Sequence, residues 1–481
     1  MYDFLIIGAG IIGSSVAREL SKYQARIIVI DKENDVANVQ TSANSAIVHS
    51  GYSDNPGTLK AKLSVKGNKM YEELEEELRL PLLKTGAYVV AHNKTEENQL
   101  LELYDNCKRN QVPKFEIIDG DEARKNDPNL SDSISKVLSL PTTKVTYPWE
   151  VAFAAMEVAI QNGVDLVLNS KVIHIEKKED FFVVKTQKGI EYHTKNIINA
   201  AGVESDDITK LIDGNSPFTI KGRKGEYFVL DKRTKGFINH VIYPLPSEQG
   251  KGVLITPQYH GETLLGPNSE YVDNKYHAVT SFNGLQYVKK HVVDLAKNIP
   301  FNQIIRSFAG IRSTSDYDDF YIQESKKTSR FFIVGGIESP GLTACFAIAE
   351  YLVNDVINMG SLYEKKDNFI KSRVEKIKFN ELSIEEKKDL IKKDARYGKI
   401  ICKCEKITEK EIIDAINGPL GSKTIKGIKK RTRSGAGLCQ GGYCEEKIVK
   451  ILINNFGLKP LDILYDKEES NLFVSETKVE V

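Results

Sequence analysis

The sequence predicts an α/β fold for most of the chain and a small, mainly helical domain near its C-terminal end. The chain opens with an apolar run, a glycine-rich turn and a helical pattern that leads into a second apolar run. This order is typical of two parallel strands joined by a helix. Two later blocks contain strand-like segments punctuated by Pro and Gly. Four of the six cysteines fall within residues 402–444, which indicates a separate domain built around them.

Composition is that of an ordinary globular protein without an overall charge preference. The chain has 481 residues, of which 41% are hydrophobic, and this length suits two or three domains. The 67 Lys and Arg residues nearly cancel the 66 Asp and Glu residues, so net charge does not favour nucleic acid or an anionic membrane as a partner. We expect a cytoplasmic protein, because no apolar run reaches the roughly 18 residues of a membrane helix and the first residues carry no basic leader.

The first three elements predict a Rossmann-like unit, with strands over residues 2–7 and 26–30 and a helix over residues 11–23. The turn before the helix reads G-x-G-x-x-G. Glycines there allow a sharp bend, the close approach of a pyrophosphate and tight helix packing, and the helix N-terminus attracts phosphate. A glycine turn without a ligand is the alternative. The candidate dinucleotide-binding residues are Gly8, Gly10, Gly13, Asp31, which would accept hydrogen bonds from the adenosine ribose, and the adjacent Lys32.

The following segments predict an interleaved architecture. Residues Thr58 to Leu80 have the spacing of a long amphipathic helix. The β-rich blocks at about 81–148 and 216–305 are interpreted as a substrate domain inserted between pieces of the nucleotide domain. Residues 193–202 and 331–343 have a strand followed by glycines, so we expect the chain to return there to the nucleotide domain.

Several separated motifs, in the same order, are shared with FAD-dependent oxidoreductases. They are the glycine turn and residues 41–51 (TSANSAIVHSG), 199–202 (NAAG), 309–312 (AGIR) and 335–343 (GGIESPGLT). On these motifs, roughly residues 1–360 resemble the superfamily of FAD-dependent glycerol-3-phosphate dehydrogenases, D-amino-acid oxidases and L-2-hydroxyglutarate dehydrogenases. The resemblance implies FAD as the cofactor, a choice that the glycine turn alone leaves open.

The resemblance also implies which residues contact the cofactor. In such enzymes one matching segment lines the flavin and its phosphates, a valine backbone meets the adenine, and the last glycine-rich segment approaches the isoalloxazine. A helix beginning near Leu342 would direct its positive end at the flavin N1/O2 edge and stabilise the anion formed on reduction. The implied cofactor-binding residues are Thr41, Ser42, Asn44, Ser45, Val172, Ala201, Gly202, Gly336, Gly341, Leu342 and Thr343.

His49 and Arg312 are the candidate catalytic residues. The resemblance places His49 over the reactive face of the flavin, where a neutral imidazole can take the hydroxyl proton of an alcohol substrate. A packed, hydrogen-bonded histidine is the alternative. Arg312 would grip a substrate carboxylate or phosphate, and a surface salt bridge is its alternative. Lys251 and Ser339 are further candidates for the same anion, and a solvated side chain is the alternative for Lys251. Cys107 and Cys345 are interpreted as small buried residues.

The remaining four cysteines form two pairs. Cys402 and Cys404 are separated by one residue, and Cys439 and Cys444 by four, with 34 residues between the pairs. In a cytosolic protein such a cluster favours metal or redox chemistry over disulfides. Thr408 to Glu411 predicts a capping box that opens a helix, and the cationic residues 423–433 are expected to offset an anionic cluster.

Residues from Ile401 to about Leu452 resemble the bacterioferritin-associated-ferredoxin type of [2Fe-2S] domain, which implies the four cysteines as cluster ligands. The second pair is spaced more widely than in the stand-alone ferredoxin and resembles the version fused to anaerobic glycerol-3-phosphate dehydrogenases. Zinc is the alternative metal, although structural zinc more often uses a C-x2-C spacing.

These inferences predict an FAD-dependent dehydrogenase that oxidises sn-glycerol 3-phosphate to dihydroxyacetone phosphate. A [2Fe-2S] cluster would pass the electrons singly to a redox partner subunit, a second flavoprotein or quinone, with any peripheral membrane association made through a partner. The alternatives are a dehydrogenase of L-2-hydroxyglutarate or an amino acid, and a zinc-stabilised docking module without electron transfer. The predicted domains are 1–363 (oxidoreductase), 364–397 (helical connector), 398–460 (four-cysteine domain) and 461–481 (C-terminal tail).

Overall fold

The computed structural model describes residues 1–247 and 250–475, and they divide into two compact units. Unit 1 comprises Met1–Lys32 and Val36–Arg373, and unit 2 comprises Glu33–Asp35 and the chain from Val374 onward. The part of the predicted C-terminal tail from residue 476 onward lies outside the described residues.

The strands and helices are as follows. The strands are β1 (Tyr2–Ile7), β2 (Ile27–Ile30), β3 (Ile47–Val48), β4 (Leu82–Leu83), β5 (Ala87–Ala91), β6 (Glu116–Asp119), β7 (Lys136–Ser139), β8 (Lys144–Thr146), β9 (Asp165–Val167), β10 (Val172–Lys177), β11 (Phe182–Thr186), β12 (Glu191–Asn199), β13 (Ile220–Leu230), β14 (Val241–Tyr243), β15 (Leu254–Pro257), β16 (Thr263–Gly266), β17 (Glu270–Val272), β18 (Ile304–Ser315), β19 (Tyr321–Glu324), β20 (Phe331–Gly335), β21 (Ile400–Cys402) and β22 (Ile407–Thr408). The α-helices are α1 (Ile11–Leu20), α2 (Leu59–Glu73), α3 (Lys94–Arg109), α4 (Gly120–Asn126), α5 (Pro148–Gln161), α6 (Ser205–Asp213), α7 (Phe282–Val292), α8 (Gly341–Tyr351), α9 (Met359–Leu362), α10 (Ile384–Lys393), α11 (Glu409–Asn417), α12 (Ile425–Thr432) and α13 (Glu445–Phe456).

The first sheet of unit 1 is the predicted nucleotide-binding sheet. Its strand order is β10-β11-β12-β1-β2-β9, and β20 pairs with β12. β1 is parallel to both of its neighbours, β2 and β12. Residues 4–6 and 27–30 are almost completely buried, as expected for parallel strands covered on both faces. The predicted return of the chain at residues 193–202 and 331–343 is confirmed, because β12 and β20 belong to this sheet.

The second sheet of unit 1 is built from the two predicted β-rich blocks. Its order is β17-β13-β16-β15-β14-β5-β7-β6, with β18 paired to β13. β13 and β18 are long antiparallel partners, in register from Ile220 opposite Ser315 to Leu230 opposite Ile304. β18 therefore extends the block beyond the predicted limit at residue 305. The register places Arg223 directly opposite Arg312, so the two side chains share one face of the sheet.

The predicted long helix of residues 58–80 is shorter in the structure, where α2 ends at Glu73. Thr58 caps its N-terminus by accepting a hydrogen bond from the Ala61 backbone amide. α2 packs closely on α8 at Gly67, where an added Cβ atom would lie 2.1 Å from the backbone oxygen of Thr343. Only glycine permits this crossing, which brings residues of both helices to the site described below.

Unit 2 contains the β21–β22 hairpin and helices α11 to α13, packed around Ile412, Ile428 and Leu452. The only α-helix of the predicted connector is α10, which begins at a capping box formed by Ser383 and Glu386. Before α10, the backbones of Glu364, Lys366 and Ile370 hydrogen-bond to residues of the first half of the chain, and Arg373 is buried beside α5.

Within residues 1–247 and 250–475, no helix combines the length and the apolar character that crossing a bilayer requires.

Candidate active site and four-cysteine centre

The glycine turn between β1 and α1 has the geometry that a pyrophosphate needs. Gly8 has a φ of +110°, and an added Cβ atom would lie 2.4 Å from the Ala200 backbone oxygen. A Cβ on Gly13 would lie 1.9 Å from the oxygen of Gly8. Gly10 is the N-cap residue of α1. It has no side chain to cap the helix, so it leaves room for a ligand at the first amides of α1. This backbone fits an anionic phosphate at the helix N-terminus.

Asp31 contacts the glycine turn, and Lys32 contacts residues beside it. The Ala9 backbone amide donates to Asp31 Oδ2 at 2.5 Å, which fixes the acidic residue beside the turn. Lys32 forms an ion pair with Glu204 at 2.7 Å, and its Nζ atom lies 5.6 Å from the centre of the Tyr276 ring. Lys32 is therefore tied to neighbouring side chains, and its predicted contact with the cofactor stays a prediction.

The segment predicted to line the flavin is a tightly bonded loop. Thr41 Oγ1 accepts a hydrogen bond from the Ile11 amide at 3.0 Å, which joins the loop to the start of α1. Asn44 donates to the backbone oxygens of Gln40 and Thr41 and accepts from the Ala46 amide. In this way Asn44 shapes the loop from within. Ser42 donates to the Val39 oxygen, and Ser45 lies 3.2 Å from the Tyr227 hydroxyl.

The other predicted cofactor residues lie at the ends of strands of the first sheet. Val172 is buried at the start of β10, and the Ala201 amide donates to Asn199 Oδ1. Gly202 has a φ of +57°.

The last glycine-rich segment leads into α8, one residue before the predicted helix start at Leu342. Gly336 has a φ of +66°, and a Cβ on Gly341 would lie 2.5 Å from the Ile337 side chain. The Leu342 oxygen accepts a hydrogen bond from the Tyr71 hydroxyl at 2.9 Å. Thr343 turns its side chain to the protein, as the next paragraph describes, so its cofactor contact stays a prediction.

His49 follows β3 and is held from three directions. Its backbone amide donates to Thr343 Oγ1 at 2.8 Å, and its backbone oxygen accepts from Asn68 Nδ2 at 2.9 Å. Its Nδ1 atom lies 3.0 Å from the Tyr243 hydroxyl. The residue is 8% exposed, and burial, followed by the positive charge of Lys251, holds its pKa well below the usual value. His49 is therefore a rigidly placed imidazole that is neutral at neutral pH.

A cluster of cations surrounds Glu338. Arg223 pairs with Glu338 at 2.7 Å, Lys60 lies 3.5 Å away, and Thr314 donates to the same carboxylate at 2.8 Å. Burial alone would raise the pKa of Glu338, but Arg223, Lys60, the Thr314 hydrogen bond and the charge of Arg312 together hold it below the usual value. Glu338 thus remains ionised and neutralises part of the cluster.

Arg312 and Lys251 are left without a carboxylate partner among the described residues. The Arg312 guanidinium reaches only backbone oxygens, Lys224 at 3.5 Å and Asn268 at 3.4 Å. The Lys251 ammonium lies 5.6 Å from the centre of the Tyr52 ring, and burial lowers its pKa against the opposing charges of Asp54 and Glu338. Neither the surface salt bridge for Arg312 nor the solvated side chain for Lys251 describes these environments. Two such cations suit an anionic ligand.

Several of these residues are missing from the sequence-based candidates. Lys60, Arg223 and Tyr243 carry no motif, and Glu338 lies inside a quoted motif without an expected role. The pairing of β13 with β18 brings Arg223 to Arg312, and sequence spacing does not reveal that register. Ser339, the remaining predicted residue, is exposed beside Glu338.

The four cysteines of unit 2 converge as two pairs of thiols. Cys404 Sγ lies 3.7 Å from Cys439 Sγ, and Cys402 is hydrogen-bonded to Cys444. Cys402 and Cys444 are buried, whereas Cys404 and Cys439 are partly exposed. In the described part of the chain, no group of three or more Cys, His, Asp or Glu side chains is arranged to hold a single metal ion. Four cysteine thiolates in two pairs suit the two irons of a [2Fe-2S] cluster.

Backbone amides point at these sulfur atoms. Gly435 and Glu405 donate to Cys402, and the Cys444 thiol, which is the largest influence, acts with them to lower the pKa of Cys402 to about 6. The amides of Tyr443 and Gly441 donate to Cys439. Such N–H···S bonds stabilise thiolates and tune a bound cluster.

Most cations of residues 423–433 form ion pairs with carboxylates, and their expected role in offsetting the cluster stays a prediction. Lys426 pairs with Asp466 at 2.6 Å, and Arg433 pairs with Glu405 at 3.0 Å. Lys430 and Arg431 both pair with Asp35, at 2.9 and 2.7 Å. The amides described above stabilise the negative charge of the sulfur atoms directly.

The nucleotide-binding sheet, its glycine turn and the paired thiols define a flavin-dependent oxidoreductase joined to an iron–sulfur module. The chain belongs to the family described as FAD dependent oxidoreductase, which matches residues 3–354. The BFD-like [2Fe-2S] binding domain matches residues 400–454. FAD and a [2Fe-2S] cluster are thus its cofactors, as predicted.

Two curated relatives and one solved structure place the chain within this family. A glycerol 3-phosphate dehydrogenase of Caloramator mitchellensis is 42% identical over 481 residues, covering 100% of both chains. A glycerol 3-phosphate oxidase of Mycoplasma genitalium is 30% identical over 365 residues, covering 74% of this chain and 94% of that protein. The FAD-bound L-alpha-glycerophosphate oxidase of Mycoplasma pneumoniae superposes with a TM-score of 0.73 at 27% identity, covering 77% of this chain and 98% of that one.

Proposed function

We propose that the protein oxidises sn-glycerol 3-phosphate to dihydroxyacetone phosphate. The observation that carries the proposal is the placement of a neutral, buried His49 near Lys251, which, like Arg312, has no carboxylate partner among the described residues. The names of the relatives with 42% and 30% identity support the same substrate.

His49 supplies the base. Removing the hydroxyl proton of a secondary alcohol requires an unprotonated acceptor, and burial keeps the imidazole neutral at the pH of a cell. FAD, when bound, supplies the acceptor for the hydride that leaves the carbon bearing this hydroxyl. The glycine turn, with its crowded Gly8 and Gly13 positions, would hold the pyrophosphate of that cofactor.

Arg312 and Lys251 supply the anion grip. A phosphate monoester carries close to two negative charges at neutral pH, which these two cations can neutralise. Arg223 and Lys60 add to the positive field but are tied to Glu338. The ammonium group of an amino acid would be repelled by the same field, which disfavours the amino-acid alternative.

The [2Fe-2S] domain is proposed to relay electrons to a redox partner subunit or a second flavoprotein. A reduced flavin holds two electrons and a cluster carries one at a time, so the fusion suits onward transfer. Cys404 and Cys439 are the partly exposed ligands, and they would present one edge of the cluster to solvent.

A substrate panel tests the reaction. Anaerobically purified holoenzyme is assayed for dye reduction with sn-glycerol 3-phosphate, L-2-hydroxyglutarate and several amino acids. Turnover is expected with glycerol 3-phosphate only. Turnover of L-2-hydroxyglutarate without activity on glycerol 3-phosphate would refute the proposed substrate.

Stopped-flow absorption tests the relay separately. Substrate should bleach the flavin first and the cluster afterwards, in enzyme that contains iron. A protein that contains zinc and no iron, or a cluster that stays oxidised while the flavin turns over, excludes the relay. The alternative function, a docking module without electron transfer, would then apply.

A further inference from the structure

The Tyr243 hydroxyl occupies the position where a histidine base needs a hydrogen-bond partner. It lies 3.0 Å from His49 Nδ1, and no described residue hydrogen-bonds the other ring nitrogen, Nε2. A neutral imidazole carries one proton, so one nitrogen donates and the other accepts. The partner of Nδ1 therefore decides which nitrogen of His49 can take a proton.

Both members of this pair are fixed in place. Tyr243 is completely buried in β14, which pairs with β5 and β15 in the second sheet. Its ring packs edge-on against Tyr52, with centroids 5.6 Å apart. The backbone of His49 is bonded to Thr343 and Asn68, so neither residue can leave the other without breaking the fold around it.

We propose that Tyr243 is a positioning residue for His49: its hydroxyl oxygen accepts a hydrogen bond from Nδ1–H, so Nε2 carries no proton and is the basic atom. The inference rests on the proposed function, in which His49 takes the substrate hydroxyl proton. In that reaction Nε2 would take the proton from the hydroxyl oxygen, and FAD, when bound, would supply the acceptor for the hydride on the carbon that bears this hydroxyl. The imidazole then carries both protons, and Nδ1 keeps its bond to Tyr243.

The neighbouring charges are consistent with a neutral partner for the base. Burial raises the pKa of Tyr243 well above its usual value, and the adjacent Tyr52 adds to the effect, so the phenol stays protonated. Lys251 faces His49, and Asp54 lies near Lys251 and Tyr52.

Lys144 donates to Asn68, which holds the His49 backbone oxygen, and pairs with Glu72. No carboxylate within the described residues forms an ion pair with His49, so Tyr243 is the side chain that bonds Nδ1.

The Tyr243→Phe holoenzyme tests the proposal through the pH profile of kcat with glycerol 3-phosphate. Without the Tyr243 oxygen, the His49 tautomer with its proton on Nδ1 loses a hydrogen bond, and so does the imidazolium ion. We expect kcat to fall about 10- to 100-fold, with KM within about twofold and the acidic limb of the profile moved to lower pH. If Tyr243 instead donates to Nδ1, the substitution frees that nitrogen, the limb moves to higher pH and kcat does not fall. That result overturns the proposal.

Tyr52→Phe is the matched control, because the Tyr52 hydroxyl is buried and no described residue hydrogen-bonds it. Its pH profile should match that of the wild type. Flavin absorbance and circular dichroism report whether each variant is folded and loaded.

Nitrogen-15 NMR of histidine-labelled wild-type holoenzyme gives an answer that does not depend on activity. A His49→Asn variant assigns the His49 signals. Protonated Nδ1 with bare Nε2 is expected, and protonated Nε2 refutes the inference. Undiminished turnover of His49→Asn would instead refute the base in the proposed function, whatever tautomer the spectrum shows.

Discussion

The crossing of α2 and α8 makes a quantitative prediction for Gly67→Ala. The new Cβ atom would lie 2.1 Å from the Thr343 backbone oxygen, whereas a relaxed carbon–oxygen contact needs roughly 3.3 Å, so the helices must separate by about 1 Å. Overpacking of this kind costs about 1–3 kcal/mol. For a unit of this size that corresponds to a fall in Tm of about 1–4 °C.

The same displacement reaches the chemistry, because Thr343 Oγ1 holds the backbone of His49. A shift of about 1 Å in a catalytic group can cost about 100-fold in rate. We therefore expect Gly67→Ala to lose about 10- to 100-fold in kcat while KM changes much less. Calorimetry and steady-state kinetics on flavin-loaded enzyme measure the two effects.

Gly360→Ala in α9 is the matched control, since a Cβ there meets nothing within 4 Å. It should leave kcat unchanged and stabilise the fold slightly, by about 0.5–1 kcal/mol. A Gly67→Ala enzyme with wild-type Tm and kcat would show that the contact between α2 and α8 does not position the base.

Three further predictions concern the cations, the buried carboxylate and the cluster. Arg312→Gln should raise KM for glycerol 3-phosphate about 10- to 100-fold, because a charged hydrogen bond contributes about 1.5–3 kcal/mol; an unchanged KM places the phosphate elsewhere. The lowered pKa of Glu338 means that its stabilisation is complete above the unfolded value of about 4.3 and is lost as pH falls through the folded value. Glu338→Gln should therefore flatten the fall of Tm below about pH 4.5 in a calorimetric pH series, and a parallel curve contradicts the assignment. Cys444→Ser should abolish the iron absorption while flavin-dependent dye reduction survives; retained iron would remove Cys444 from the ligand set.

The nucleotide turn could be predicted from sequence because its constraints are local. Gly8 and Gly13 are demanded by atoms of the adjacent strand ends and by the turn itself, and the order of strand, glycines and helix is visible in consecutive residues. The four-cysteine domain of unit 2 could be predicted in the same way, from the spacing of its cysteines. These are features that a few neighbouring residues determine.

The anion site could be predicted only in part, because long-range register assembles it. Arg223 meets Arg312 through the pairing of strands separated by about ninety residues, and Lys60 joins them from the start of α2. The connector shows the opposite failure. Its sequence has a charged helical pattern, but contacts with distant residues, such as the hydrogen bond of Lys366 to Lys22 and the ion pair of Arg373 with Glu150, compete with local propensity before α10.

The pairing of Arg223 with Arg312 also bears on how this enzyme would respond to selection for heat resistance. Like charges directly opposite each other weaken an antiparallel ladder, and Glu338 relieves only the Arg223 side by direct pairing. A neutral residue at position 312 would remove the remaining repulsion with Arg223 and stabilise the sheet. Screens that reward thermostability alone would therefore favour loss of the anion contact proposed for Arg312, so stability and turnover must be selected together at this position.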